Sequence, residues 1–185
     1  GVIVFKEILI CQKCGLCCNQ KPLLDNEREC QIFWVGLSAK MTTSEEDIPL
    51  SPETNTGCII KQIEDSLNEI KTYKTNLVKC VPLNENNKIR YPNSTEISCC
   101  ISNLQTELNM LSPKIVFLLG EKVSASIEKY FDISFEKWDE FNYTFKEIDG
   151  TYYIPVQHPS YIYVYKRKLI DQYIAGIKSI ISLLL

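Results

Sequence analysis

The chain carries a single histidine, His158, in 185 residues. No two-histidine metal site and no histidine pair for acid–base work can be built from it. Long hydrophobic runs are missing as well. Nothing reaches the roughly eighteen uninterrupted apolar residues of a membrane span. The apolar opening over 1–10 is broken by Lys6 and Glu7, and no small-residue cleavage site follows it, so it is a poor match to a signal peptide. There is no internal repeat, no low-complexity block and no linker long enough to separate one domain from another, so a single domain over 1–185 is expected. A surplus of positive charge is also lacking. Lys and Arg number 20 against 23 Asp and Glu, leaving a net charge of -3 and a pI of about 5.3. That balance argues against coating nucleic acid by bulk electrostatics and leaves room for a local basic patch.

What is present is ordinary in bulk. Apolar residues make up 45% and charged residues 23%, close to an average soluble domain, which excludes collagen-like, mucin-like and wholly disordered chains. The length suffices for a sizeable core. The expectation is a soluble, cytoplasmic monomer with no membrane contact. Against this background the nine cysteines stand out. An odd number without a secretion signal points to thiolates used for metal or chemistry, not to a disulfide framework.

Short β-branched or aromatic runs over 31–35, 74–78, 114–119 and 152–156 read as strands. The third is almost continuously apolar, as a strand buried on both faces should be. Helical spacing links Ile59, Ile60, Ile63, Leu67 and Ile70, then Ile97, Ile101, Leu104, Leu108 and Leu111 before Ser112-Pro113. A shorter helix is expected over 121–130 and a last one over 168–184. The alternation predicts an α/β fold, a three-layer α/β/α sandwich around a central, mainly four-stranded parallel sheet. Ligand sites in such folds lie at the carboxyl ends of the strands, which directs attention to Gly36, Lys79-Cys80, Gly120 and Gln157-His158.

Cys11 and Cys14 are separated by two residues, a spacing that lets both sulfurs reach one metal or cluster. Cys80, at the end of a predicted strand, and a cysteine at the start of the second predicted helix would complete four ligands. Helical phase favours Cys100 there: it falls three after Ile97 and four before Leu104, whereas Cys99 shares the polar side with Thr95, Ser102 and Thr106. Four thiolates suit zinc or an iron–sulfur cluster, and spacing does not decide between them. Cys30 and Cys58, isolated in apolar stretches, read as small buried hydrophobes. Cys17 and Cys18 carry no assignment.

Several stretches together resemble the iron–sulfur branch of the uracil-DNA glycosylase superfamily, families 4 and 5. Thr75-Asn76-Leu77-Val78-Lys79-Cys80 is similar to that branch's asparagine-valine-valine-lysine-cysteine strand. The stretch from Pro113 to Gly120 resembles its next strand and turn, and His158-Pro159-Ser160-Tyr161 resembles its HPS motif. With the cysteine order, the similarity runs from about Cys11 to the C-terminus.

The resemblance implies excision of uracil from DNA, with a structural 4Fe–4S cluster on Cys11, Cys14, Cys80 and Cys100. It implies that Asn76 reads the edge of a flipped base, since an amide can donate to a carbonyl and accept from a ring N–H. His158 would donate to the departing base as charge develops. Gly36, Leu37 and Ser38 would line the base pocket, with Leu50 where family 4 places a stacking phenylalanine. Glu46, in an acidic run after the first motif, is the expected water-orienting carboxylate. The amides of Thr54, Asn55 and Thr56 at a helix start, which reads alternatively as an ordinary N-cap, and Ser160, Lys166 and Arg167 would meet phosphates, with Tyr161 and Ile162 as the wedge. Two departures stand out: Gly36-Leu37-Ser38-Ala39-Lys40 replaces the GEAPG of family 4, and Leu50 cannot stack as phenylalanine does. They keep open a different modified base, a DNA binder without turnover, or a zinc-stabilised interaction domain.

Overall fold

The computed structural model describes residues 5–185; residues 1–4 of the apolar opening segment lie outside the described residues. Its centre is a five-stranded sheet of β1 (Ile32–Ser38), β2 (Thr72–Val78), β3 (Ile115–Leu119), β4 (Lys146–Ile148) and β5 (Thr151–Val156). The order is β2-β1-β3-β5-β4, with the first four strands parallel and β4 antiparallel at the edge. The predicted parallel sheet is present, and β4 is an addition to it. β4 is a three-residue strand bearing two charges, too short to show periodicity. It is joined to β5 by Asp149-Gly150, whose positive φ values of 49° and 84° are those of a type I′ hairpin turn.

The helices are α1 (Lys6–Leu9), α2 (Asn55–Glu64), α3 (Ser94–Leu111), α4 (Glu121–Phe131), α5 (Pro159–Tyr165) and α6 (Ile170–Leu184). Residues of β1 alternate between the two faces of the sheet as a period of two requires. Ile32 and Trp34 pack with Ile59, Ile63, Ile177 and Ile181 of α2 and α6. Phe33 and Val35 pack with Leu104 and Leu108 of α3 and Val123 and Ile127 of α4. This gives the expected three layers. β3 is at most 1% exposed anywhere along its length, because both faces are covered.

α3 opens on a capping box between Asn93 and Glu96 and stops at Ser112, in left-handed conformation before Pro113. α2 ends at Glu64, short of the expected residue 70. The Ser66 hydroxyl donates to the carbonyl of Ile63, and Asn68 turns left-handed, so Leu67 and Ile70 reach the core from a turn. Among the described residues no helix is long and apolar enough to cross a membrane.

Candidate active site and cysteine pocket

Gly36 and Asn76 are register partners on adjacent parallel strands near their carboxyl ends. A Cβ on Gly36 would stand 2.5 Å from Asn76 Oδ1 and 3.0 Å from Leu50 Cδ2. Only the absence of a side chain there lets the carboxamide fold across β1. Asn76 is 2% exposed, and its carboxamide makes no hydrogen bond among the described residues. An amide held in place and left unbonded is a donor–acceptor pair waiting for a partner. Leu50, whose side chain lies against the same face of Gly36, has a left-handed backbone, φ 52°, a conformation that costs a leucine energy and that clusters at functional sites.

His158 follows β5 and caps α5. Its Nδ1 accepts the backbone N–H of Ser160 at 3.1 Å, so the neutral ring carries its proton on Nε2 and presents it as a donor. Burial, and secondarily the charge of Lys40, push the imidazole pKa below its ordinary value. A neutral donor at pH 7 results. Gly120, after β3, lies against the ring: a Cβ at this position would stand 3.3 Å from His158 Cβ. His158 and Tyr161 line a cavity of about 610 Å³ with Gly120, Glu121, Trp138 and Gln157. Asn76, Gly36 and Leu50 do not line it. The protein thus presents two groups of site residues at the same end of the sheet. Trp138 and Gln157 carry no motif; only Gln157's place beside His158 at a strand end points to it.

The remaining expected site residues divide. Leu37 is one residue out of phase with Gly36, so its side chain packs against the α3–α4 face and not into the base pocket. Ser38 ends β1, half-buried, opposite Val78. Ile162 is 2% exposed in the core, because the HPS stretch continues into α5 and turns that side chain inward. It is not available as a wedge. Tyr161 is 48% exposed, with its ring 5.4 Å from that of Tyr165, and carries the outward apolar surface instead.

Thr54 is the N-cap of α2: its hydroxyl accepts from Gly57 N–H at 3.0 Å and donates to Ser51 O at 2.7 Å. Thr56 is buried. The phosphate contact expected here is to the backbone amides at the helix start, and of the three residues Asn55 alone is exposed. The Ser160 hydroxyl has no hydrogen bond among the described residues. Lys166 and Arg167 are exposed with no ion pair among the described residues, and the Arg167 guanidinium lies 4.3 Å from the Tyr163 ring centroid. Glu46 is exposed, whereas neighbouring Asp47 spends Oδ2 on the amides of Thr43 and Ser44.

At the end of β2 a second pocket is lined by Cys11, Cys14, Cys17, Cys80, Cys99 and Cys100. Leu16 is buried beneath it, and Lys13 ties its outer loop to α3 through Ser102 at 2.6 Å. Asn103 Nδ2 donates to the sulfurs of Cys11 (3.5 Å) and Cys100 (3.6 Å), and Lys79 N–H donates to Cys100 at 3.3 Å. Burial, then the neighbouring thiols of Cys100, Cys14, Cys17 and Cys11, push the Cys80 pKa up to about 12. Such a thiol ionises readily only when a cation takes the proton's place. Thiols gathered on one pocket, with N–H donors aimed at two of them, are a donor set suited to a soft metal centre. The sulfurs are not drawn into a finished site: among the described residues no group of three or more His, Cys, Asp or Glu is arranged to hold a metal ion. Cys99 lines the pocket despite its polar helical phase. Cys30 is buried as expected, but Cys58 is exposed.

The model of the uracil DNA glycosylase superfamily matches residues 24–178, and the chain belongs to that superfamily. Within it, the chain is similar to the type-4 uracil-DNA glycosylase of Sulfurisphaera tokodaii, 24% identical over 168 residues that cover 84% of this chain and 72% of that protein. Its fold is similar to the crystal structure of Pedobacter heparinus SMUG2, with a TM-score of 0.54 and 13% identity over 87% of this chain and 78% of that one.

Proposed function

We propose that the chain is a monofunctional uracil-DNA glycosylase that hydrolyses the N-glycosidic bond of uracil in DNA and leaves an abasic site. The observation that carries this reading is the carboxamide of Asn76, a residue 2% exposed, held against Gly36 with no hydrogen bond among the described residues. Its donor and acceptor match the O4 and N3–H of uracil, whereas cytosine offers an amine where the amide needs an acceptor. The nucleotide is flipped from the stack, and Leu50 yields to admit the base. As the C1′–N bond breaks, negative charge gathers on the base. His158, neutral with its proton on Nε2, donates to that charge without a costly proton transfer. Water then adds to the sugar, with Glu46 as its orienting carboxylate, and no enzyme nucleophile is needed. Tyr161 fills the vacated stack, while Ser160, Asn55, Lys166 and Arg167 meet phosphates.

Cys11, Cys14, Cys80 and Cys100 would hold a 4Fe–4S cluster. When bound, it supplies a cross-link between the loop after α1, the end of β2 and the start of α3. This chain's own residues prepare that place by directing N–H groups at the sulfurs of Cys11 and Cys100. The enzyme acts on DNA as a monomer, and nine free thiols suit the reducing cytoplasm. A panel of oligonucleotides carrying uracil, hypoxanthine, xanthine or thymine at one position tests the reading. Release from uracil alone, lost in Asn76→Ala, is expected. Release from another base alone moves the substrate, and release from none leaves a DNA binder.

A further inference from the structure

Behind Asn76 lies a charged pair that takes no part in the reaction just described. Lys79, one residue beyond β2, and Glu107, in the C-terminal half of α3, form an ion pair whose side chains are 1% and 0% exposed. The ammonium directs its protons at Glu107 Oε1, at Thr75 Oγ1 (2.8 Å) and at the backbone carbonyl of Asn76. Glu107 also accepts the hydroxyl protons of Thr75 at 3.0 Å and of Tyr73 at 2.6 Å. The network is closed: every proton of the ammonium has an acceptor.

Taking two charges out of water is costly, and well-packed apolar side chains of the same volume often serve stability as well or better. What apolar side chains could not do is grip a carbonyl. The carbonyl gripped here belongs to the residue that the proposed function makes the base reader. The main chain of Lys79 is fixed independently, its N–H on Cys100 Sγ and its carbonyl on the N–H of Leu23 at 2.8 Å. Lys79 is therefore a rigid strut from the cysteine pocket to the Asn76 peptide.

We propose that the Lys79–Glu107 pair is a positioning device for Asn76. By holding the Asn76 peptide plane, the ammonium sets the direction in which the carboxamide leaves β2 and lies across Gly36. Neither residue touches DNA. This inference rests on the reading of Asn76 as the base-contacting residue.

The test is the double variant Lys79→Met/Glu107→Gln, which removes both charges at similar volume and strands neither. Excision kinetics on a uracil oligonucleotide are read beside thermal unfolding and DNA binding. The expected result is a kcat lower by about ten- to a hundredfold, with KM within about twofold, since phosphate contacts are untouched. Selectivity for uracil over cytosine falls in parallel, a change that mere loss of stability would not produce. A second variant, Thr75→Val, removes the hydroxyl between the two charges and leaves them paired, so it remains informative if the double variant does not fold. It is expected to lower kcat several-fold, with an unfolding midpoint lowered by the acceptor that the buried ammonium loses. Unchanged kcat and selectivity in a folded variant would overturn the positioning role while the glycosylase reading stands. A wild-type protein that releases no uracil would overturn that reading, and the positioning role with it.

Discussion

Replacing Gly36 by alanine probes the geometry on which the proposed reading of the base by Asn76 depends. The new methyl group would lie 2.5 Å from Asn76 Oδ1 and 3.0 Å from Leu50 Cδ2. Non-bonded carbon contacts settle at about 3.5 Å, so the carboxamide must retreat by roughly 1 Å. It has little room, being 2% exposed with its main-chain carbonyl held by Lys79. Overpacking of this kind costs about 1–3 kcal/mol, a fraction of the roughly 5–15 kcal/mol of a typical domain, so Gly36→Ala should fold with a lowered unfolding midpoint. A displacement of about 1 Å at a positioned group costs on the order of a hundredfold in rate, or about 2.7 kcal/mol of barrier. Single-turnover excision of uracil with enzyme in excess, beside thermal unfolding, reads both effects. Gly15→Ala is the control, since nothing lies within 4 Å of its Cβ position. Wild-type excision by Gly36→Ala would refute the claim that Asn76 works from where it lies.

His158→Ala should slow excision by about ten- to a thousandfold, and His158→Gln, which keeps an N–H donor, should recover some of it. Because burial and Lys40 depress the His158 pKa below 6.5, excision should be level across neutral pH and fall only below that value, where protonation of Nδ1 breaks its bond from Ser160 N–H. The linkage has the same sign. The unfolded chain takes up the proton first, so the stability contribution is whole above about 6.5 and is lost as pH falls toward the folded pKa, as unfolding midpoints across pH would record. Ile162→Ala should cost about 2–4 kcal/mol in denaturant unfolding, whereas Tyr161→Ala should leave stability near wild type and weaken DNA binding by about 1–3 kcal/mol in titrations. Cys80→Ser and Cys100→Ser should lose iron by elemental analysis while Cys30→Ser retains it. Iodoacetamide should reach exposed Cys58 and Cys18 before buried Cys30, whose pKa is pushed up to about 11, as peptide mass mapping would show.

The elements of the fold visible in the sequence are those whose burial leaves a periodic trace. β3 reads as a strand because both of its faces are covered, and α3 because its apolar stripe ends at Ser112-Pro113. Of the cysteines that line one pocket, Cys11, Cys14, Cys80 and Cys100 are marked by the two-residue spacing and by strand-end and helix-start positions, and Cys17 and Cys99 are not. What stays hidden follows equally physical lines. β4 is too short to have a period, although Asp149-Gly150 announces its turn. Ile162 looks like a loop wedge because α5 is short, yet a helix starting at Pro159 turns it inward. Motif puts Leu37 in the pocket, but strand parity sends it to the opposite face from Gly36. The Lys79–Glu107 pair joins residues from separate elements, and no local pattern in a sequence announces that two distant charges will meet in a core.

The central claim is that this site removes uracil from DNA, and the most direct measurement is uracil release itself. Anaerobically purified protein is incubated with an oligonucleotide carrying one uracil, and strand cleavage at that position is read after alkali. The account predicts alkali-labile cleavage at the uracil, intact strands without alkali, and loss of cleavage in both Asn76→Ala and His158→Ala. Intact strands after alkali, from folded protein that binds the same oligonucleotide, would contradict it.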